Sequence, residues 1–295
     1  MTTFSTRHWE CSTLARLCIT LDWTSSMRAA MHRDRLQRRQ CSYASRLMAN
    51  SAATSRQRER WARANATVAV LLLLAAFSLI AITLWTDVDV MLADSAFDSK
   101  AGRFPLRDAW ITTTFNHLIL KQAFTVLALL ILFAVSWDLC SPRTWSWLRR
   151  FQLRVIALSA LLVPTTISLL KQVSASHCPW DLQRYGGSEP YIKLFELLPA
   201  GVSPGHCMPA GHASSALWMV SLTVLFIPHR LLHATIVLVL LLSLGVGVGW
   251  MQQLRGAHFL THTLWSTWIT LLIVFLITTC LDRWPRRELA TYRQR

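Results

Sequence analysis

The dominant pattern in the chain is a series of apolar segments of about 20 residues, each bounded by polar or basic residues. A helix of about 20 apolar residues crosses the roughly 30 Å hydrocarbon core of a bilayer, and it satisfies its own backbone hydrogen bonds there. Such segments lie at about 66–85, 117–137, 154–171, 210–227, 231–251 and 260–281. The pattern predicts an all-α fold, a polytopic membrane protein with a bundle of six transmembrane helices.

Arginine clusters lie in alternate gaps between these segments. They precede the first, separate the second from the third and the fourth from the fifth, and follow the sixth. Short cytoplasmic loops carry the excess of Lys and Arg, so both termini are expected in the cytoplasm and the loops 86–116, 172–209 and 252–259 on the other side. Arginine-rich, lysine-poor usage fits a bacterial inner-membrane protein whose outer face is periplasmic.

Charge and composition also suggest how the chain is divided. The net charge is +15, and residues 1–65 contribute twelve arginines without an apolar face. A basic tail can bind nucleic acid or anionic lipid, but we favour a disordered cytoplasmic extension, or an upstream mis-assigned start with Met31 or Met48 as the true one. No cleavable signal peptide is evident. The expected membrane domain is 66–282, followed by a basic cytoplasmic tail at 283–295; no nucleic-acid partner is expected.

Two of the seven cysteines, Cys178 and Cys207, fall in the loop assigned to the periplasm. That compartment is oxidising, so a disulfide between them is one interpretation. Two independent thiols are the other, and cysteine spacing does not choose between them.

Polar residues gather where three of the segments reach the predicted outer face. Lys171 ends the third segment, and alone it is typical of a lysine that marks the end of a span. His212 opens the fourth, after Pro209 and Gly211, where the free N–H groups of a helix start favour an anion. An interfacial histidine is an equally good interpretation of that motif.

The third element precedes and enters the last segment. Arg255, His258 and His262 are spaced so that they share one face of a helix. Ionisable groups that share a face at a membrane boundary are costly unless they serve a function. Zinc is one option for His258 and His262, but no carboxylate of the zinc-protease pattern is near, and Lys171 and Arg255 would repel a cation.

An anion fits these charges better than a metal does. Two histidines with a lysine and an arginine suit phosphoryl transfer: one imidazole attacks phosphorus, the other protonates the leaving oxygen, and the cations hold the remaining oxygens.

The three elements resemble the signature of the type 2 phosphatidic acid phosphatase superfamily, membrane lipid phosphatases related to vanadium haloperoxidases. That signature is Lys, six residues, Arg-Pro; then Pro-Ser-Gly-His; then Ser-Arg, five residues, His, three residues, Asp. The matching segments here are 171–179, 209–212 and 252–262. Each motif is short, and the order, spacing and shared side carry the resemblance.

The resemblance implies roles for individual residues. His258 would be the nucleophile that forms a phosphohistidine, and His212 the general acid. Lys171 would bind a phosphate oxygen, and Gly211 would offer its backbone N–H. The family needs no metal or other cofactor, and its substrate is a phosphorylated lipid within the membrane.

This chain departs from the signature at several places. Cys178 and Gln252 stand where the signature has arginine, and Ala210 stands where it has serine. Two cationic phosphate ligands are therefore missing. Arg255, one helical turn from Gln252, and Arg184, six residues after Cys178, are hypothetical replacements. The Cys-Pro-Trp-Asp-Leu and Arg-Gly-Ala-His-Phe forms resemble a bacterial subgroup of the superfamily.

The fourth departure is His262, which stands where the signature has aspartate. We expect His262 to accept a hydrogen bond from His258 and fix its tautomer, although a neutral ring stabilises an imidazolium less than a carboxylate does. Asp181 is an alternative source of negative charge, or else it pairs with Arg184.

The sequence thus predicts an integral membrane phosphatase that hydrolyses a lipid-linked phosphomonoester or pyrophosphate at the periplasmic face. Phosphatidic acid, phosphatidylglycerol phosphate, undecaprenyl pyrophosphate and lipid A phosphates are all candidate substrates. The alternatives are a phosphotransferase with the same histidine chemistry and a non-catalytic membrane protein that binds a phosphorylated lipid. A transporter is disfavoured because the polar cluster lies at one surface rather than at mid-membrane. The sequence leaves the oligomeric state open.

Overall fold

A computed structural model describes residues 59–141, 145–227 and 229–292, with side chains as far as residue 281. The chain divides into two compact units, 1–64 and 65–295, and the second contains the helical bundle. Most of the predicted N-terminal extension and the end of the predicted tail lie outside the described residues, so the domain boundaries remain predictions.

The described chain contains seven longer helices and two short 3₁₀-helices, Pro179–Asp181 and Gln183–Tyr185. Two of the longer helices are composite: α3 begins with a π-helical segment, Ile111–Leu120, and α5 is α-helical over Gly211–Leu217 and a 3₁₀-helix over Trp218–Phe226. In chain order the longer helices are α1 (Glu59–Trp85), α2 (Val88–Ala96), α3 (Ile111–Cys140), α4 (Trp147–Gln172), α5 (Gly211–Phe226), α6 (Leu231–Leu254) and α7 (Leu260–Tyr292).

Five of these helices are long and apolar enough to cross a membrane: α1, α3, α4, α6 and the part of α7 that ends at Leu281. The predicted fourth span corresponds to α5, which is shorter. A 3₁₀-helix rises about 2.0 Å per residue rather than 1.5 Å, so α5 still reaches about 28 Å, close to the thickness of the hydrocarbon core. The sixth span remains a prediction.

Large apolar side chains lie exposed along the outer faces of the long helices. They include Leu71 and Phe77 on α1, Leu130 and Phe133 on α3, and Leu240 on α6. An exposed apolar surface of this extent is unfavourable in water and favourable in lipid. The helices therefore belong to a membrane protein.

The core of the bundle lies where α4 packs against α5, α6 and α7. Buried side chains of α4, such as Val163 and Ile167, meet Trp218 of α5, Val248 of α6 and Ile269 of α7. The interior is apolar, so helix positions within it are fixed by packing and by a few buried hydrogen bonds.

Three of those hydrogen bonds run from a side chain to a carbonyl of another helix. Gln152 of α4 donates to Val224 at 3.0 Å, and Trp268 of α7 donates to Leu72 of α1 at 2.8 Å. Asn116, in the π-helical segment, donates to Val248 of α6 at 3.2 Å. In an apolar interior each bond satisfies a group that has no water to bind, and so favours one register between the two helices.

The long loops form a cap over one end of the bundle. Phe97, Phe104 and Tyr185 pack with ring centroids 5.1–5.3 Å apart, above Phe259. Gly256 has φ +78°, and a Cβ at this position would overlap the Phe104 ring. Glycine is therefore required in the turn between α6 and α7, which leads directly into His258.

A buried carboxylate ties the cap to the start of α7. Asp89 of α2 accepts a hydrogen bond from the Thr261 backbone N–H at 2.9 Å and another from the Thr261 hydroxyl. Burial raises the pKa of Asp89, and the bonds from Thr261 oppose that rise. Because the first N–H groups of a helix lack partners within it, this contact stabilises the beginning of α7.

Replacing Asp89 with Ala is expected to destabilise the protein, since the Thr261 N–H loses its buried acceptor. The expected change in detergent is an apparent Tm lower by about 3–10 °C, measured by thermal unfolding. Asp87→Ala is the matched control, because Asp87 is exposed and pairs only with Lys193 at the surface; its effect should be about 3 °C or less. Equal shifts in both variants would contradict a structural role for Asp89.

Candidate active site

The loop between α4 and α5 is closed at its base. The backbone N–H groups of Gly205, His206 and Cys207 donate to carbonyls of residues 174–176 at 2.9–3.2 Å. Cys178 and Cys207 form a disulfide across the same base. This confirms the disulfide interpretation of the two cysteines, and it holds Cys207 beside the turn that carries His258.

Four imidazole rings lie in a row at this end of the bundle. His117 and His212 have ring centroids 4.2 Å apart, His212 and His258 are 5.9 Å apart, and His258 and His262 are 5.8 Å apart. They come from α3, from the start of α5, from the turn after α6 and from the start of α7. The second and third sequence motifs therefore meet in space, together with one histidine that the motifs do not include.

Several nitrogens of these rings are buried without a hydrogen-bond partner among the described residues. They are Nδ1 of His117, both ring nitrogens of His212, and Nδ1 of His262. Buried polar atoms without partners are rare and cost about 1–3 kcal/mol each. Such a concentration in one place is typical of a binding site rather than of a structural core.

His258 is buried and oriented by the closed loop. Its Nδ1 lies 3.4 Å from the Cys207 sulfur, which leaves Nε2 as the nitrogen available for reaction. Burial holds the pKa of His258 well below its usual range, and the neighbouring His262, His212 and Lys171 lower it further. The ring is therefore neutral at neutral pH, which is the state that a nucleophilic histidine needs.

The structure corrects the expected partnership between His258 and His262. Nε2 of His262 lies 3.1 Å from the Ser176 hydroxyl, and its Nδ1 has no partner. The His262 ring packs edge-on against both His258 and Phe259. Its contact with His258 is thus van der Waals packing, and the tautomer of His258 is set from the Cys207 side.

Lys171 is the cation that interacts electrostatically with the whole row. Its ammonium group makes no hydrogen bond or ion pair with any residue that the structure describes. An unpaired, half-buried ammonium group beside unpaired imidazoles favours an anionic ligand.

Arg255 lies next to the position of one missing arginine, as predicted. Its Nη1 donates to the Gln252 side chain at 3.4 Å, and its Nε donates to the Arg107 carbonyl at 2.8 Å. The guanidinium groups of Arg255 and Arg107 lie 5.3 and 5.1 Å from the centroid of the Trp180 ring, within cation–π range. Burial lowers the pKa of Arg255.

The structure does not bring Arg184 to the site. Its guanidinium binds both oxygens of Asp94 at 2.6 and 2.7 Å on the exposed face of the cap, and this ion pair raises the pKa of Arg184. The expectation that Arg184 folds back toward Cys178 is therefore wrong, because a nearer carboxylate holds it. The pairing of Asp181 with Arg184 is wrong for the same reason, and Asp181 forms no hydrogen bond with His258.

Within the described chain, one group of side chains has the spacing of metal ligands: Cys178, Cys207 and His258. The two sulfurs are bonded to each other, so neither is a thiolate that could bind zinc. Coordination by His258 and His262 alone would also bring a cation next to Lys171. The arrangement suits an anion better than a metal.

His117 is the site residue that the sequence motifs missed. It sits in the π-helical segment of α3, 54 residues before the first motif. The available signal was the polar pair Asn116-His117 at the edge of an apolar segment, because polar groups in spans usually face the bundle interior. Because His117 and His212 are far apart in the sequence, no local pattern indicates that their rings are in contact.

Reduction of the disulfide is expected to lower both stability and site integrity. The bridge closes a loop with a sequence separation of 29, for which about 3–4 kcal/mol of stabilisation is typical. Alkylation under non-reducing conditions, followed by peptide mass spectrometry, should modify Cys140 and Cys280 but not Cys178 or Cys207. Cys178→Ser should lower the apparent Tm, whereas Cys140→Ser, the exposed control, should not. Alkylated Cys178 in the untreated protein would contradict the bridge.

One of the comparisons with known proteins gave a match. Searches of curated proteins and of solved structures gave no significant match. Residues 152–286 match the PAP2 superfamily, a range that contains Lys171, His212 and His258. The resemblance drawn from the motifs is therefore confirmed over this range.

Proposed function

We propose that the protein is a membrane phosphatase that hydrolyses a lipid-linked phosphomonoester or pyrophosphate through a phosphohistidine on His258. The observation that carries this proposal is the pair of rings His212 and His258, whose centroids are 5.9 Å apart. Both ring nitrogens of His212 lack a hydrogen-bond partner in the described chain, and the charge of Lys171 acts on both rings. A phosphoryl group between the two rings would supply the missing partners.

The proposed reaction has two steps. First, Nε2 of His258 attacks phosphorus, and the bond from phosphorus to the leaving oxygen breaks as His212 donates its proton to that oxygen. Second, the oxygen of a water molecule attacks phosphorus, His212 takes the water proton, and the phosphorus–nitrogen bond breaks. Inorganic phosphate leaves, and both histidines return to their initial states.

Charge stabilisation in both steps would come from the cations around the row. Lys171 and Arg255 would hold the non-bridging oxygens, and the backbone N–H of Gly211 would add a neutral donor at the start of α5. Fixed donors of this kind stabilise the transition state because they need no reorganisation as charge develops. The phosphate dianion would in turn stabilise the protonated form of His212.

The disulfide supports a location on the oxidising side of a membrane. Structural disulfides persist in the periplasm and are rare in the cytoplasm. Together with the arginine distribution, this supports a site at the periplasmic face of a bacterial inner membrane, with both termini in the cytoplasm. A lipid substrate is supported by the lipid-facing helices that surround the site.

His258→Ala is expected to abolish phosphate release, by about a thousandfold or more, because no covalent intermediate forms. His212→Ala should reduce kcat by about 10²–10⁴-fold through loss of the acid. The test is phosphate release from phosphatidic acid, phosphatidylglycerol phosphate, undecaprenyl pyrophosphate and lipid A by purified protein in detergent. His233→Ala is the matched control, since His233 is exposed on α6. Undiminished release by His258→Ala would defeat the proposal.

The same assay separates hydrolysis from its alternatives. With labelled substrate phosphate, a hydrolase yields free phosphate, whereas a phosphotransferase yields a labelled second lipid. A chelator is expected to leave the rate unchanged, since the proposed chemistry needs no metal; a loss of activity that zinc or magnesium restores would contradict it. Lipid binding without turnover would indicate a non-catalytic protein.

A further inference from the structure

The π-helical segment at the start of α3 is held against the site by two buried contacts. Asn116 donates to the Val248 carbonyl of α6 at 3.2 Å, and Gln252 donates to the Thr112 carbonyl at 3.4 Å. π-Helical turns are uncommon and occur frequently at functional sites. The residue that this segment presents to the row of rings is His117.

His117 has no structural task that accounts for its ring nitrogens. The ring packs 4.2 Å from that of His212 at an interplanar angle of 38°, and its Nδ1 is buried without a partner among the described residues. A phenylalanine would make the same packing contact without the cost of an unsatisfied nitrogen. The presence of nitrogen therefore points to a ligand.

The charges around His117 indicate what kind of ligand this is. Lys121, one turn further along α3, Lys171 and Arg255 all interact electrostatically with both His117 and His212. None of these three cations forms an ion pair with a carboxylate in the described residues. Two lysines without a carboxylate partner in this part of the chain, and an arginine whose charge Asp108 partly offsets, fit an oxyanion with two negative charges.

The departures from the family signature leave room for this role. Two arginines of the signature are replaced by Cys178 and Gln252, and Arg184 is held by Asp94 away from the site. One side of the phosphate therefore lacks its usual donors. His117 approaches from α3, outside the range that matches the PAP2 superfamily.

We propose that His117 is a ligand of the substrate's phosphate group, donating a hydrogen bond to a non-bridging oxygen, with Lys121 adding positive charge on the same side. The identity of the substrate rests on the proposed function. The binding of a phosphate group by His117 does not. It makes α3 part of the binding site.

The test is the affinity of the full-length protein in detergent for inorganic phosphate, measured by isothermal titration calorimetry. His117→Ala and His117→Phe are both expected to weaken binding by on the order of tenfold, the loss of one charge-assisted hydrogen bond. His117→Phe keeps the packing against His212, so it separates a ligand from a structural ring. Leu118→Ala, the exposed neighbour on the same segment, is the control and should bind normally.

The exposed Lys121 provides a second variant that should fold normally. Lys121→Ala is expected to weaken phosphate binding severalfold and to reduce its salt dependence, because one positive charge is removed.

Wild-type affinity in His117→Phe, or no phosphate binding by the wild-type protein, would overturn the proposal. If the His117 variants lose phosphate but no lipid is hydrolysed by the wild type, the proposed function fails and the phosphate site stands. If the wild-type protein hydrolyses lipid but both His117 variants bind phosphate with unchanged affinity, the proposed function stands and the role of His117 is overturned.

Discussion

The constraint on which the rest of this structure depends is the packing of four imidazole rings, two buried and two half-buried, beside cations without a carboxylate in hydrogen-bond contact. Among the described residues, no acidic side chain pairs with His117, His212, His258 or His262. Several of the ring nitrogens are buried without a hydrogen-bond partner among these residues, which costs folding free energy. The cap, the disulfide and the contact of Asp89 with Thr261 offset that cost by holding the helix ends together.

The disulfide has a second role in this arrangement. Where the family signature places an aspartate to orient the nucleophile, this chain has His262, which turns to Ser176 instead. His258 is oriented by Cys207, whose position is fixed by the bridge and by the paired ends of the loop. The disulfide therefore holds His258 in place through the backbone, where the signature uses the charge of an aspartate. Without that carboxylate, a charged imidazolium is less stabilised.

The long apolar segments were sufficient to predict an all-α fold of membrane-spanning length, while the sixth span and the side of the membrane stay predictions. This pattern placed α4, α6 and α7 closely, because length and apolarity alone decide membrane insertion, and it brought Lys171, His212 and His258 to one side. It failed for Arg184, since side-chain pairing across a loop depends on which carboxylate is nearest, here Asp94. It also failed for His117, because contacts between distant helices leave no local pattern in the sequence.

In the π-helical start of α3, the direction in which the side chains point is sensitive to the gain or loss of a single residue. A π turn holds about one residue more than an α turn, so positions before and after Leu120 are offset in angular register. His117 and Asn116 are turned inward, while Phe133 further along faces outward. Gain or loss of one residue within the segment would rotate the side chains on one side of the change by about 100° relative to those on the other. An insertion or deletion within the segment, and not only a substitution of His117, would therefore remove this histidine from the site.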